Sequence, residues 1–249
     1  MLLKLLQCEE KKLKRTGLLT MSILIPIVIN ILLTLDLHYR YTAYLLMHQQ
    51  EMQLSCWQLI FKEQRILYFN QLLPFFATLI LIHIFSRESK NNGWTLILTQ
   101  PINKFYIIVS KYIVACKYIA IMIVSDIVSI VISGIVTGVK EPVEIGLFVR
   151  CVFVLFFSTM AAAIIQLIIL QVYNKKSIVL CIAVFLGSIS QNTYSHSIIA
   201  KVNPFAFVDH AYKASWQETI CIFVISIVFI IVGMKICTLI FNKKSIDRL

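Results

Sequence analysis

Residues 112–136 read Y-I-V-A-C-K-Y-I-A-I-M-I-V-S-D-I-V-S-I-V-I-S-G-I-V. A helix needs about 20 apolar residues to cross a hydrocarbon core of roughly 30 Å, and this run exceeds that with only Lys117 and Asp126 charged. Its many β-branched residues do not alternate with polar ones, so it reads as a membrane-spanning helix and not as a barrel strand.

Working outward from it, five more runs qualify or nearly do: Gly17–Leu35, Ile66–Phe85 (with polar Asn70 and Gln71 inside it), Phe148–Tyr173, Ser177–Ser190 and Thr219–Phe241. The fifth in chain order, Ser177–Ser190, is short. Composition agrees with six spans. The 249 residues are 59% hydrophobic and 14% charged, with a mean hydropathy of +0.84, whereas soluble domains run at about 45–50% apolar and about 25% charged. A water-soluble globule, a disordered chain, collagen and a small disulfide scaffold are all excluded.

The formal net charge of +11 is mostly topological. With the N-terminus in the cytoplasm, fourteen Lys and Arg residues fall inside, six outside, and Lys117, Arg150 and Lys235 within the runs. The positive-inside rule then places both termini in the cytoplasm. Asp36, Glu51, Glu63, Glu141, Glu144, Asp209 and Glu218 all fall outside. No basic-aromatic module of a nucleic-acid binder is present, so no nucleic-acid partner is expected. The basic flank before Gly17 resembles a signal peptide, but Asp36, His38 and Arg40 follow the run in place of a small-x-small cleavage site, so it reads as a retained span.

Residues 1–16 mix Leu2, Leu3, Leu5, Leu6 and Leu13 with Lys4, Glu9, Glu10, Lys11, Lys12 and Lys14, which predicts a short helix in the headgroup plane. The outside segment Asp36–Arg65 predicts an interfacial helix over Ser55–Tyr68, anchored by Trp57 and Phe61. The segment Ser86–Lys111, S-R-E-S-K-N-N-G-W-T-L-I-L-T-Q-P-I-N-K-F-Y-I-I-V-S-K, is amphipathic and too long for a simple turn. Asn92-Gly93 marks a turn, and Pro101 can begin a helix leading into the third span. Residues 191–217, with the apolar Ser197–Ala200 and then Asn203-Pro204-Phe205, follow the short fifth span. Re-entrant backbone is tolerated only where protein or water satisfies its polar groups.

Catalytic patterns are absent: there is no G-x-x-x-x-G-K-[ST], no H-E-x-x-H and no G-x-S-x-G. The five His residues lack metal-ligand spacing, and the seven Cys residues form no C-x-x-C. Glu9 and Glu10, beside Lys11 and Lys12, read as a solvated charge cluster. Asp126 is the candidate intramembrane polar site, because a carboxylate at mid-span costs at least about 2.5 kcal/mol unless it faces protein, water or a cation. It serves either as a polar contact between helices or in a path for a cationic substrate. Arg150 and Lys235 are candidate partners, and Lys117, nine residues earlier, is a poor one. Phe75-Phe76 and Phe156-Phe157 either pack between helices or line a peptide path.

The stretch from Glu88 to Lys111 resembles the first cytoplasmic loop of type-2 ABC transporter permeases: a Glu after the second span, an Asn or Gly turn, an apolar stretch, a Pro, and a Lys entering the third span. W-Q-L-I-F-K-E-Q at 57–64, followed by E-x-x-N-N-x-W and the Pro, is similar to the permease subunits of lantibiotic immunity transporters. These motifs cover residues 57–111, and the last outside loop holds no motif that names a substrate. The resemblance implies one all-α membrane domain over residues 1–249. It would have six transmembrane helices, an N-terminal interfacial helix (1–16), a cytoplasmic coupling region (86–111) and a re-entrant segment (191–217) before the last span. Glu88, Asn91, Asn92, Trp94, Pro101 and Lys111 would form the coupling site. The chain would bind no cofactor; ATP and Mg2+ would sit on two copies of a cytoplasmic ATPase subunit. A second six-span permease, sibling or self, would complete the path, and a cationic amphipathic peptide would be the cargo. The alternatives are export of another toxic peptide, lipid or drug, and a non-transport immunity or sensor protein in the same bacterial cell membrane.

Overall fold

The computed structural model describes residues 2–40, 54–88, 93–173, 175–190 and 201–246. Those residues are helical, with no strand among them. In chain order the helices are α1 (Leu2–Leu13), α2 (Leu18–Arg40), α3 (Cys56–Ile66), α4 (Phe69–Ser86), α5 (Gly93–Leu98), α6 (Lys104–Val136), α7 (Ile145–Tyr173), α8 (Lys176–Ile189), α9 (Pro204–His210) and α10 (Trp216–Ile246). Five of them, α2, α4, α6, α7 and α10, are long and apolar enough to cross a membrane. The run read as a fifth span forms α8, whose 14 residues reach only about 21 Å at 1.5 Å per residue.

α4 is central, with 67% of its apolar window buried, whereas α2 and α10 bury 28% of theirs. The chain's many exposed apolar residues on α2, α6 and α10 are what a lipid-facing surface requires. The most extensive pairings are α7 with α10 and α2 with α6. Two glycines set close approaches. A Cβ on Gly187 would meet the Gln71 carbonyl oxygen at 2.3 Å, and one on Gly233 would meet Ile164 at 2.6 Å. Small residues let helix backbones meet in this way.

The expected interfacial helix over Ser55–Tyr68 is corrected by the structure. α3 is capped by Ser55, in a capping box with Gln58, and then folds into the bundle. Trp57, Leu59, Ile60, Phe61 and Gln64 are each at most 1% exposed. Trp57 packs edge-on to Phe148 of α7 and against Gly134 of α6, where a Cβ would lie 2.4 Å from its ring. Its indole N–H donates to the Pro142 carbonyl at 2.9 Å. The run Ile66–Phe85 is therefore not one helix. Tyr68, with φ of 58°, separates α3 from α4 through a left-handed residue, a conformation uncommon outside glycine.

The expected start of a helix at Pro101 is also corrected. α6 starts at Lys104, and the Asn103 side chain caps it by accepting from the Phe105 N–H. α6 is 33 residues long, about 50 Å, so it outruns the bilayer core. Of the segment 191–217, residues 191–200 lie outside the described residues. Within the remainder, α9 is capped by Asn203, and Phe205, Ala206, Phe207 and Val208 are buried chiefly against α7.

Candidate coupling site

The end of the bundle beside α1 holds a buried charge network. α1 is amphipathic, and Leu5, Glu9 and Leu13 recur every four residues, so they share one face. That face packs on α6. Leu13 is buried, and so is Glu9, at 7% exposure. Lys111 enters from the second turn of α6 and is wholly buried. Its Nζ donates to Glu9 Oε2 and to Glu88 Oε1, both at 2.9 Å. Lys12 donates to the same Glu88 oxygen at 2.7 Å and to Glu9 Oε1 at 3.3 Å. Two carboxylates thus face two ammonium groups. Burying an ion costs several kcal/mol, and the burial is offset only where its bonds are satisfied.

Aromatic residues close the network. Lys111 Nζ lies 5.7 Å from the Trp94 ring centre and 5.9 Å from that of Phe85, within cation–π range. Trp94 also meets Phe241 of α10 at 5.2 Å. The Trp94 backbone N–H donates to the Glu88 carbonyl at 3.0 Å. A Cβ at Gly93 would lie 2.9 Å from that carbonyl oxygen and 3.0 Å from Glu88 Oε2, so a glycine is needed where α5 begins. The Arg87 guanidinium donates to the Lys12 carbonyl. Beyond this base, Thr99, Gln100 and Pro101 are exposed between α5 and α6. The result is an exposed tip on a base fastened to α1, α4, α6 and α10.

Burial alone would raise the Glu88 carboxyl, but the bonds and charges of Lys12 and Lys111 outweigh it and hold it below its usual 4.5. Burial would lower the Lys12 ammonium, but Glu88 and Glu9 together raise it above 10.5.

The structure therefore brings together Glu88, Trp94 and Lys111. It places Pro101 apart from them, on the exposed tip; Asn91 and Asn92 lie outside the described residues. The reading of Glu9-Glu10 as a solvated cluster is corrected. Glu9 is a buried partner of Lys111, and Glu10 pairs with Lys117 at 2.6 Å, both half-exposed. Lys12 was missed as well. The signal was available for Glu9, which occupies the leucine face of its helix.

Asp126 forms a second, separate polar site. It is wholly buried, and its Oδ1 accepts from Asn30 Nδ2 of α2 at 2.8 Å and Gln64 Nε2 of α3 at 2.6 Å. Asp126 Oδ2 and Gln64 Oε1 have no hydrogen-bond partner among the described residues. Of the candidate cations, Arg150 lies over the face of the Trp216 ring at 5.7 Å and Lys235 is exposed; Lys117, the poor candidate, pairs with Glu10. Phe156 and Phe157 pack between helices, the latter edge-on to Phe223 at 4.6 Å.

Long apolar helices with lipid-facing sides and a polar, charge-locked loop at one end define a multi-pass membrane protein. The family model described as ABC-2 family transporter protein matches residues 5–191, and the chain belongs to that family. It is one of membrane transport subunits that carry no ATPase domain of their own. No curated protein and no solved structure matches the chain.

Proposed function

We propose that the chain is the permease subunit of an ABC exporter that expels a cationic antimicrobial peptide of the lantibiotic class from the membrane, giving self-immunity. Two copies of a cytoplasmic ATPase subunit, holding ATP and Mg2+, drive it. A second six-span permease, sibling or self, completes the path, because six helices are too few to enclose one. The termini lie in the cytoplasm of a bacterial cell, α8 serves as the fifth of six spans, and α9 belongs to a re-entrant segment.

The observation that carries this reading is the Glu9–Lys111–Glu88–Lys12 network under an exposed tip. A loop that only obeyed topology would leave its charges in water. Here the loop's base is locked to α1 and α6 by charge-assisted bonds and to α10 through Trp94 and Phe241. A push on Thr99–Pro101 then passes into the spans, since packed elements shift between discrete arrangements and do not deform softly. The peptide class rests on the similarity of residues 57–111 to immunity permeases. Co-expression with the ATPase subunit raises tolerance to the peptide, and a Walker-lysine variant of that subunit abolishes the gain. Tolerance that survives the variant contradicts a pump.

A further inference from the structure

The seam between α2 and α6 carries two adjoining concavities that the coupling site does not use. At its α1 end a cavity of about 640 Å³ is lined by Glu10, Lys11, Lys14, Thr20, Lys117 and Tyr118, with Glu10 neutralised by Lys117 at 2.6 Å. Lys11 and Lys14 are exposed and meet no carboxylate among the described residues. Gly17, with φ of 71°, turns the chain from α1 into α2, and nothing lies within 4 Å of where a Cβ would be.

One turn further along both helices a second concavity begins, an almost wholly apolar groove of about 610 Å³ with Ile23, Ile27 and Ile31 on α2 and Ile121, Val124 and Val128 on α6. Thr20 and Ile23 are three residues apart, as are Lys117 and Ala120. Such residues are neighbours on a helix surface, so the basic cavity lies next to the end of the groove. From Ile23 to Thr34 the groove spans about 17 Å at 1.5 Å per residue, close to half of the roughly 30 Å hydrocarbon core. It ends at hydroxyls that are already engaged: Thr34 donates to Ser133 at 2.7 Å, and Ser129 to the Ser125 carbonyl.

We propose that this seam binds one anionic phospholipid of the leaflet against which α1 lies. The phosphate sits between Lys11 and Lys14, with Lys117 held by Glu10 beside it, and an acyl chain lies in the groove. Charge complementarity and depth select this occupant: the basic end suits a phosphate, and the groove is one leaflet long. A helix of a second permease copy would cross both leaflets and would bring no phosphate to the lysines.

The test is native mass spectrometry of the full chain released from micelles, titrated with phosphatidylglycerol, phosphatidylcholine or glycerol 3-phosphate. Phosphatidylglycerol is retained preferentially. Replacing two lysines near an anionic headgroup (Lys11→Ala with Lys14→Ala) weakens that binding about 30-fold and leaves phosphatidylcholine unchanged. Val124→Trp, at a position 54% exposed, fills the groove and reduces retention of both lipids. The proposal is overturned if the two lipids bind alike, or if the double variant keeps the preference. Displacement of phosphatidylglycerol by glycerol 3-phosphate at equal concentration would reveal a phosphate site without a lipid. Unchanged lipid retention in Val124→Trp with an altered oligomeric state would assign the groove to a second copy.

Discussion

Lys111 is the residue on which the charge network turns, because it is wholly buried and bonds both carboxylates. Removing one partner of a buried ion group costs about 3–5 kcal/mol, so Lys111→Met lowers the thermal midpoint sharply. Lys117→Ala removes a half-exposed pair and costs less than about 1 kcal/mol. Matched melts of the two variants check the contrast. The pH response follows from the directions of shift. The stabilisation from Glu88 is fully present above its ordinary value of 4.5 and is lost as pH falls through the depressed one. That from Lys12 is fully present below 10.5 and is lost as pH rises through the raised value. A spin label at Lys4 therefore keeps one mobility between pH 5 and 10 and gains motion only outside that window; a change near pH 7 would count against the network. At Asp126, Asn keeps an oxygen for both Asn30 and Gln64, whereas Leu removes that acceptor and leaves Asn30 only the Pro26 carbonyl at 3.0 Å and Gln64 only the Asn30 oxygen at 3.4 Å, at a cost of about 1–3 kcal/mol. Thermal melts should place Asp126→Asn near wild type and Asp126→Leu well below it. Glu88, Trp94 and Lys111 were named from the sequence through the resemblance of residues 88–111 to a permease loop. Glu9 was legible only from the helical spacing that puts it on the face of Leu5 and Leu13, a signal that its charged neighbours along the chain obscure.

At the scale of elements, α3 departs furthest from what its residues suggested. Its aromatic residues suit an interface, but Trp57 and Phe61 pack on α6 and α7, and Gln64 supplies the amide that Asp126 accepts. The two long-range signals, an unpaired mid-span carboxylate and a glutamine in an outer segment, become informative only as a pair. Gly134 records the fit. Ala there would drive a methyl into the Trp57 ring, and overpacking of this kind costs about 1–3 kcal/mol. Gly134→Ala should therefore melt earlier than wild type, while Gly138→Ala, where a Cβ meets nothing within 4 Å but φ is +84°, loses stability through the backbone alone. The five long helices were legible because hydropathy and length set a span. The boundary between α3 and α4 was not, since it depends on one left-handed tyrosine inside an apolar run.

On the scale of the whole molecule, a central α4 is flanked by α6, α7 and α8, while α2 and α10 turn apolar faces outward. Family membership came through the loop motif and the layout of spans together, and the match over residues 5–191 covers the loop and every long helix but α10. The substrate stayed illegible because no described cavity is shaped by a motif that the sequence displays. What joins the molecule to its function is the proposed contact at one end: the exposed tip Thr99–Pro101, carried on the locked base, meets the ATPase subunit. The direct test places a photo-crosslinking amino acid at Gln100 in membranes containing both subunits, with a control at Lys62 in α3. The account predicts an adduct with the ATPase subunit from position 100, none from position 62, and loss of the adduct in Lys111→Met at equal abundance. No adduct from position 100, or equal adducts from both positions, would contradict it.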